Sequence, residues 1–288
     1  MSDAQIIDRG YRAYEGPRGG VGASMLALIK HSLQRVLGIK RTIWQKIMPI
    51  TSILIAYVPA IVFVGIAALI DSPRILDEIL PSYGEYYGFV TAAIILFVAF
   101  VGPELLCTDR RTGMLGLYLA SPVDRDRYLL AKMTSIALVL SIVTIGPQLL
   151  MLLSFTFEGT GPGPAEFVKT LVQIVLGGLA ISTLHTSLSM AISSLTDRRT
   201  VAAAAIIMLL LVSGAVSSAF VDGAGLSHNY ELLNLFGLPF ALAVRIFGER
   251  AGFLSSVSTG PIVAAYLAWT VLGAIVVRWR YQRMLVTR

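Results

Sequence analysis

Residues 107–132 read CTDRRTGMLGLYLASPVDRDRYLLAK. The segment joins two apolar runs, Tyr87–Leu106 and Leu129–Phe155, each long enough to cross a bilayer as a helix. It carries four arginines, one lysine and three aspartates, yet its middle, MLGLYLASPV, is apolar. Gly113 can turn the chain after the first run. Met114, Leu115, Leu117, Tyr118 and Leu119 then give a compact apolar surface over about two helical turns. Pro122 stops that helix, because proline disfavours a helical residue before it. Asp124 or Asp126 is placed to cap the next helix, which starts near Tyr128. The pattern predicts a short helix lying along one membrane surface, bracketed by charge. Read from the residues alone, an interfacial loop of a polytopic protein is the plain alternative.

The rest of the chain fits that reading. Of 288 residues, 56% are hydrophobic and only 14% charged, against roughly 25% charged in soluble domains. Six apolar runs have the length of a spanning helix: Ile47–Ile70, Tyr87–Leu106, Leu129–Phe155, Val168–Leu195, Val201–Val221 and Pro261–Val277. Long uninterrupted apolar runs exclude a β-barrel, whose strands alternate. The predicted fold class is an all-α membrane protein of six transmembrane helices. Pro49, Pro59, Pro103 and Pro147 fall inside the runs and predict kinks. If the N-terminus is cytoplasmic, 19 of the 23 lysines and arginines lie on the cytoplasmic side. The positive-inside rule therefore predicts a multi-pass protein of the plasma (inner) membrane with both termini in the cytoplasm. The net charge of +6 belongs to that asymmetry and not to nucleic-acid binding. With one cysteine, Cys107, no disulfide forms within the chain. The first 20 residues lack the apolar core of a signal peptide.

Two further segments are apolar but too short or too polar to span. In residues 24–46, Leu26, Ile29, Leu33, Val36, Leu37, Ile43 and Trp44 recur at helical spacing, with Lys30, His31, Gln34, Arg35, Arg41 and Gln45 largely on the other side. This predicts an amphipathic interfacial helix, with Trp44 at headgroup depth. Between spans five and six, Asp222–Gly260 contains LLNLFGLPFALAVRIF, in which Gly237-Leu238-Pro239 reads as a break. One or two short helices dipping back into the outer leaflet are expected there. The organisation is thus a flexible cytoplasmic tail (1–23), an interfacial helix (24–46), a six-span domain (47–277) and a basic cytoplasmic C-terminus (278–288).

The loop also carries a motif. Asp109-Arg110-Arg111-Thr112-Gly113-Met114-Leu115 is followed by Ala120-Ser121-Pro122-Val123-Asp124-Arg125 and then by Lys132 at the start of a span. This resembles the permease subunits of ABC-2 type transporters, which have the type V ABC exporter fold. Met114 and Leu117 stand where that family commonly has Thr and Glu. The resemblance extends over nearly the whole chain: an elbow helix before span one, six spans, a coupling helix between spans two and three, and re-entrant helices between spans five and six. It implies that the loop helix is a coupling helix seated in the cleft of a separate ATPase subunit. Arg110, Arg111, Gly113, Leu115, Leu117, Tyr118, Leu119, Ser121, Pro122 and Arg125 would make that contact. It also implies a second permease, identical or a paralogue, a surround of membrane lipids, and a pathway lined by parts of spans one, two and five. ATP and Mg would bind to the ATPase subunit, and no cofactor directly to this chain.

The remaining candidates are weaker. Glu104, near the inner end of span two, reads as half of a structural ion pair with Arg110 or Arg111, with a proton relay as the alternative. Ser182, Thr186, Ser189, Ser193 and Thr196 form a hydroxyl stripe beside His185 on span four; helix packing is favoured over a substrate path. The three histidines fall in different compartments and form no metal motif. No catalytic constellation is evident, and G-x-x-x-x-G-K-[ST] is absent, so the expectation is a transport subunit and not an enzyme. The expected function is outward transport of a substrate powered by a partner ATPase. The alternatives are a permease-like sensor or scaffold, or a stand-alone channel or secondary transporter. The residue usage points to a bacterial source.

Overall fold

The computed structural model describes residue 16 and residues 19–39, 43–70, 72–120, 122–250 and 252–284. Most of the tail 1–18, Ser121 and the last four residues lie outside the described residues. Among the described residues there is no strand. In chain order the helices are α1 (Val21–Val36), α2 (Ile43–Leu69), α3 (Pro73–Ile79), α4 (Tyr86–Arg111), α5 (Met114–Leu119) and α6 (Arg125–Thr144). They continue as α7 (Gly146–Phe157), α8 (Pro164–Leu195), α9 (Arg199–Ser218), α10 (Gly237–Ile246) and α11 (Thr259–Arg283).

Six stretches are long and apolar enough to cross a membrane: Lys46–Leu69, Tyr86–Arg111, Arg125–Phe157, Pro164–Leu195, Arg199–Gly223 and Thr259–Arg283. They coincide with the six apolar runs. Span three is made of two helices, α6 and α7, with a seam at Ile145. Pro147 accounts for the seam, since it has no N–H for the preceding turn and its ring crowds the carbonyl four residues back. Pro49, Pro59 and Pro103 are carried inside continuous helices.

The centre of the bundle is α4 against α8. α4 also packs on α2, α6 and α9, and α8 on α6, α10 and α11. Val90, Ile94, Phe97, Val101 and Leu105 recur every three or four residues along α4 and are buried. Small hydroxyl side chains on α8 close the gaps between helices. Ser182 hydrogen-bonds Thr144 at 3.0 Å, Ser189 donates to the Val98 carbonyl at 3.0 Å, and Ser187 donates to the Thr270 carbonyl at 2.6 Å. These are the cross-helix bonds by which membrane helices associate without a hydrophobic driving force. Burial is uneven: 67% of the apolar window of span two is covered, against 22% in span one and 17% in spans five and six.

Two details differ from the sequence reading. The helix expected over residues 24–46 ends at Val36. Gly38, at φ +69°, closes it, with its own N–H on the Arg35 carbonyl and the Ile39 N–H on the Gln34 carbonyl. The inward face of α1 is also rotated from the expected one. Leu28, Ser32, Arg35 and Val36 are buried, whereas Leu26 is exposed. Apolar periodicity assigned Arg35 to the solvent side because it ignores buried acids on a neighbouring helix. In the second detail, Gly237-Leu238-Pro239 begins α10 instead of breaking a helix. Asn234 Oδ1 accepts the Gly237 N–H at 2.8 Å, and a proline in the first turn has no hydrogen bond to lose. At ten residues α10 is too short to span, and it is buried against α8 and α11.

Candidate functional site

α5 sits at the end of the bundle where α4 stops and α6 starts. Gly113 makes the turn into it with φ +72°, a left-handed conformation that costs glycine little. Asp124 makes the turn out, its carboxylate accepting the Arg127 N–H at 2.8 Å as the N-cap of α6. The apolar residues of α5 divide between two directions. Leu115 is buried, and the Tyr118 ring stacks on Tyr128 with centroids 5.9 Å apart. Leu119 is half-buried, and Leu117 is 66% exposed. Of these four side chains, Leu117 alone projects away from the bundle. Gly113 and Pro122 are exposed, flanking it.

Beneath α5 lies a buried charge network. Asp109, near the end of α4, is fully buried. Its Oδ1 accepts from Arg35 Nη1 on α1 at 2.5 Å. Its Oδ2 takes Lys132 Nζ on α6 at 2.7 Å and the Tyr128 hydroxyl at 2.9 Å. Lys132 is also fully buried, donates to Ser32 Oγ at 3.1 Å, and lies 5.3 Å and 5.5 Å from the ring centres of Tyr118 and Tyr128. One turn earlier on α4, Glu104 pairs with Arg35 Nε at 3.4 Å and with Arg199 at the start of α9. Burial pushes the Tyr118 phenol above its ordinary value, and the Asp109 carboxylate pushes it the same way while Arg35 opposes. Its hydroxyl therefore stays neutral beside the network.

The neighbouring motif residues brace the same end. Arg110 pairs with Asp197 and donates to the Ser194 carbonyl at 2.7 Å and the Thr196 carbonyl at 3.3 Å, tying α4 to the end of α8. Arg111 is exposed. Glu104 thus meets Arg35 and Arg199, while Arg110 turns to the α8 terminus. Cys107 is buried against the same terminus, its thiol 3.2 Å from the Thr196 carbonyl. Arg125 donates to the Gln282 carbonyl at 2.8 Å and the Tyr281 carbonyl at 3.3 Å, fastening α6 to the end of α11. Arg278 on α11 pairs with Asp126 on α6 at 2.9 Å.

Sequence reasoning singled out Asp109, Lys132 and Glu104 but not Arg35 or Arg199. The available signal was a count. Two acids and a lysine lie within or beside apolar runs, and buried charges require partners. Arg35 is 69 and 74 positions from its two acids, so spacing could not name it.

These features are set in a chain whose residues 24–285 match the family model described as ABC-2 family transporter protein. The chain belongs to the ABC-2 transporter family. As an ABC-2 permease it is a non-catalytic, multi-pass membrane component of an ABC transport system, a family that works with an ABC ATPase. No curated protein matches it individually.

Proposed function

We propose that this ABC-2 permease is the membrane-spanning subunit of an exporter in the plasma membrane, with α5 and both chain termini in the cytoplasm. α5 is its coupling helix. A separate ATPase subunit binds ATP and Mg and receives Leu117 in its cleft, flanked by the exposed Arg111, Gly113 and Pro122, while Arg110 and Arg125 brace α5 from behind. Two permeases pair above two ATPases. Closure of the ATPases pushes α5, and substrate leaves between the permeases.

The observation that carries this reading is the seating of α5. Its inner side rests on Tyr128 and Lys132, whose contacts reach α1 and α4 through Asp109. A push on α5 is therefore delivered to spans two and three together with α1, and through Glu104 to Arg199 at the head of span five. Spans one and five keep bare apolar faces for a second permease or lipid. Between them and span two lies a groove of about 250 Å³ that includes Met48, Phe100, Pro103 and Arg199.

Affinity purification of the full chain in mild detergent tests the proposal. The expected result is a stoichiometric ATPase subunit whose ATP hydrolysis is coupled to transport. Leu117→Asp should leave membrane insertion intact and lower coupled hydrolysis by roughly tenfold or more, the effect of replacing an interface anchor by a charge. Undiminished coupling in a well-expressed Leu117→Asp protein would refute the assignment of α5.

A further inference from the structure

A second groove, of about 350 Å³, lies on a flank of the bundle that neither α2 nor α9 helps to form. Its walls come from α6, α8 and α11: Leu129, Leu130 and Met133, then Met190, then Ala274 and Val277. Protein interiors leave few voids larger than a water molecule. This one is open along its side, an apolar groove on the flank of membrane-spanning helices, which hydrocarbon fills. Its rim is charged. Asp126 and Arg278 line the mouth at the α5 end, and Met133 lies seven residues further along α6, about 10 Å deeper by helical rise.

The lining itself is balanced, Asp126 paired with Arg278, and the surplus positive charge stands just outside it on Arg125 and Arg283. Arg278 is 62% exposed and gives Nε and Nη2 to Asp126, leaving Nη1 without an acceptor among the described residues. The Asp126 carboxylate, half exposed, is the one negative group lining the groove, and Arg125 stands beside it against the end of α11. Trp279, the next residue on α11, is 49% exposed with the Arg283 guanidinium 4.5 Å over its ring. An exposed Trp among arginines at a helix end marks the depth of lipid headgroups.

We propose that this groove holds one anionic phospholipid, an acyl chain between spans three and six and its phosphate on Arg278. The lipid sits beside the Arg125 clasp and wedges the two helices that the clasp joins.

Native mass spectrometry of the full chain, purified and then exposed to equal amounts of dioleoyl phosphatidylglycerol and dioleoyl phosphatidylcholine, tests this. The expected result is one retained lipid, with phosphatidylglycerol favoured about fivefold, the preference that a single arginine at a membrane surface supplies. Arg278→Gln should keep a retained lipid but bring the preference close to parity. Ala274→Trp and Met133→Trp fill the groove from opposite walls, and whichever variant elutes as a monodisperse protein should lose the retained lipid. Undiminished retention in a monodisperse groove-filling variant, or equal retention of the two headgroups by the unmodified chain, would overturn the proposal.

Discussion

At the α5 end, Asp109 and Lys132 are fully buried and join α1, α4 and α6 through direct ion pairs. At the α10 end the helices meet through rings. Tyr83 stacks on Phe247 at 6.1 Å, Tyr87 meets Phe240 at 6.3 Å, and Phe236 contacts both Phe240 and Phe253. The charges there are used differently. Arg245 gathers the carbonyls of Leu254, Ser255 and Val257, and Glu249 accepts a hydrogen bond from Ser82. No fully buried ion pair occurs at that end among the described residues. A buried ion pair is directional and fails abruptly when one member is lost. Aromatic packing tolerates several geometries at similar energy. The α5 end is therefore joined by directional contacts, and the α10 end by contacts that admit more than one geometry.

The comparison is broken most severely at Asp109. Asp109→Asn removes the charge that Arg35 and Lys132 share and leaves both cations buried without it. A loss of about 3–5 kcal/mol is expected, read as a fall in unfolding temperature and in yield of monodisperse protein. Asn keeps the shape, so an unchanged unfolding temperature would mean that the network contributes little.

A smaller effect is expected at the other end. Arg245→Ala removes three hydrogen bonds to the loop before α11, a cost of about 1–3 kcal/mol. Because these bonds hold a loop and not a helix junction, the loss should be local. Hydrogen exchange should rise in residues 252–258 while the α5 end stays protected. Equal loss of protection at both ends would show that the two regions unfold together.

The smallest effect concerns Glu249. Burial raises its pKa above the ordinary 4.5, the charge of Glu85 adds to the rise, and the bond from Ser82 opposes it. A raised carboxyl pKa means that the folded protein holds the proton more tightly. The stability it contributes is complete below the unfolded pKa and is lost as pH rises through the folded value. Glu249→Gln should abolish that dependence and be slightly more stable than the unmodified chain at pH 7, by under about 0.5 kcal/mol for a group only partly buried. A less stable Gln variant at pH 7 would show that the ionised form is the favoured one.

The parts of the fold that follow from hydrophobic run length were legible before the structure. Six runs gave six spans, and Pro147 placed the seam in span three. Gly113 and Pro122 bounded α5 because each acts on the backbone locally. Facing was harder. α1 turns Arg35 inward because two acids on α4 neutralise it, and no local pattern contains that information. A six-residue helix that is apolar all round also cannot show which side is outward. Leu115 and Tyr118 face the bundle, and Leu117 is the outward projection. Gly237-Leu238-Pro239 was ambiguous in a different way, since the same residues that end helices also start them.

The burial of Cys107 has a practical use. It is the sole cysteine in 288 residues, and it is covered at the junction of α4 and α8. The native chain therefore offers no exposed thiol to maleimide reagents under folding conditions. Leu117→Cys would install a single addressable one on the outward side of α5, ready for a spin label, a fluorophore or a cross-linker, without first deleting a native cysteine.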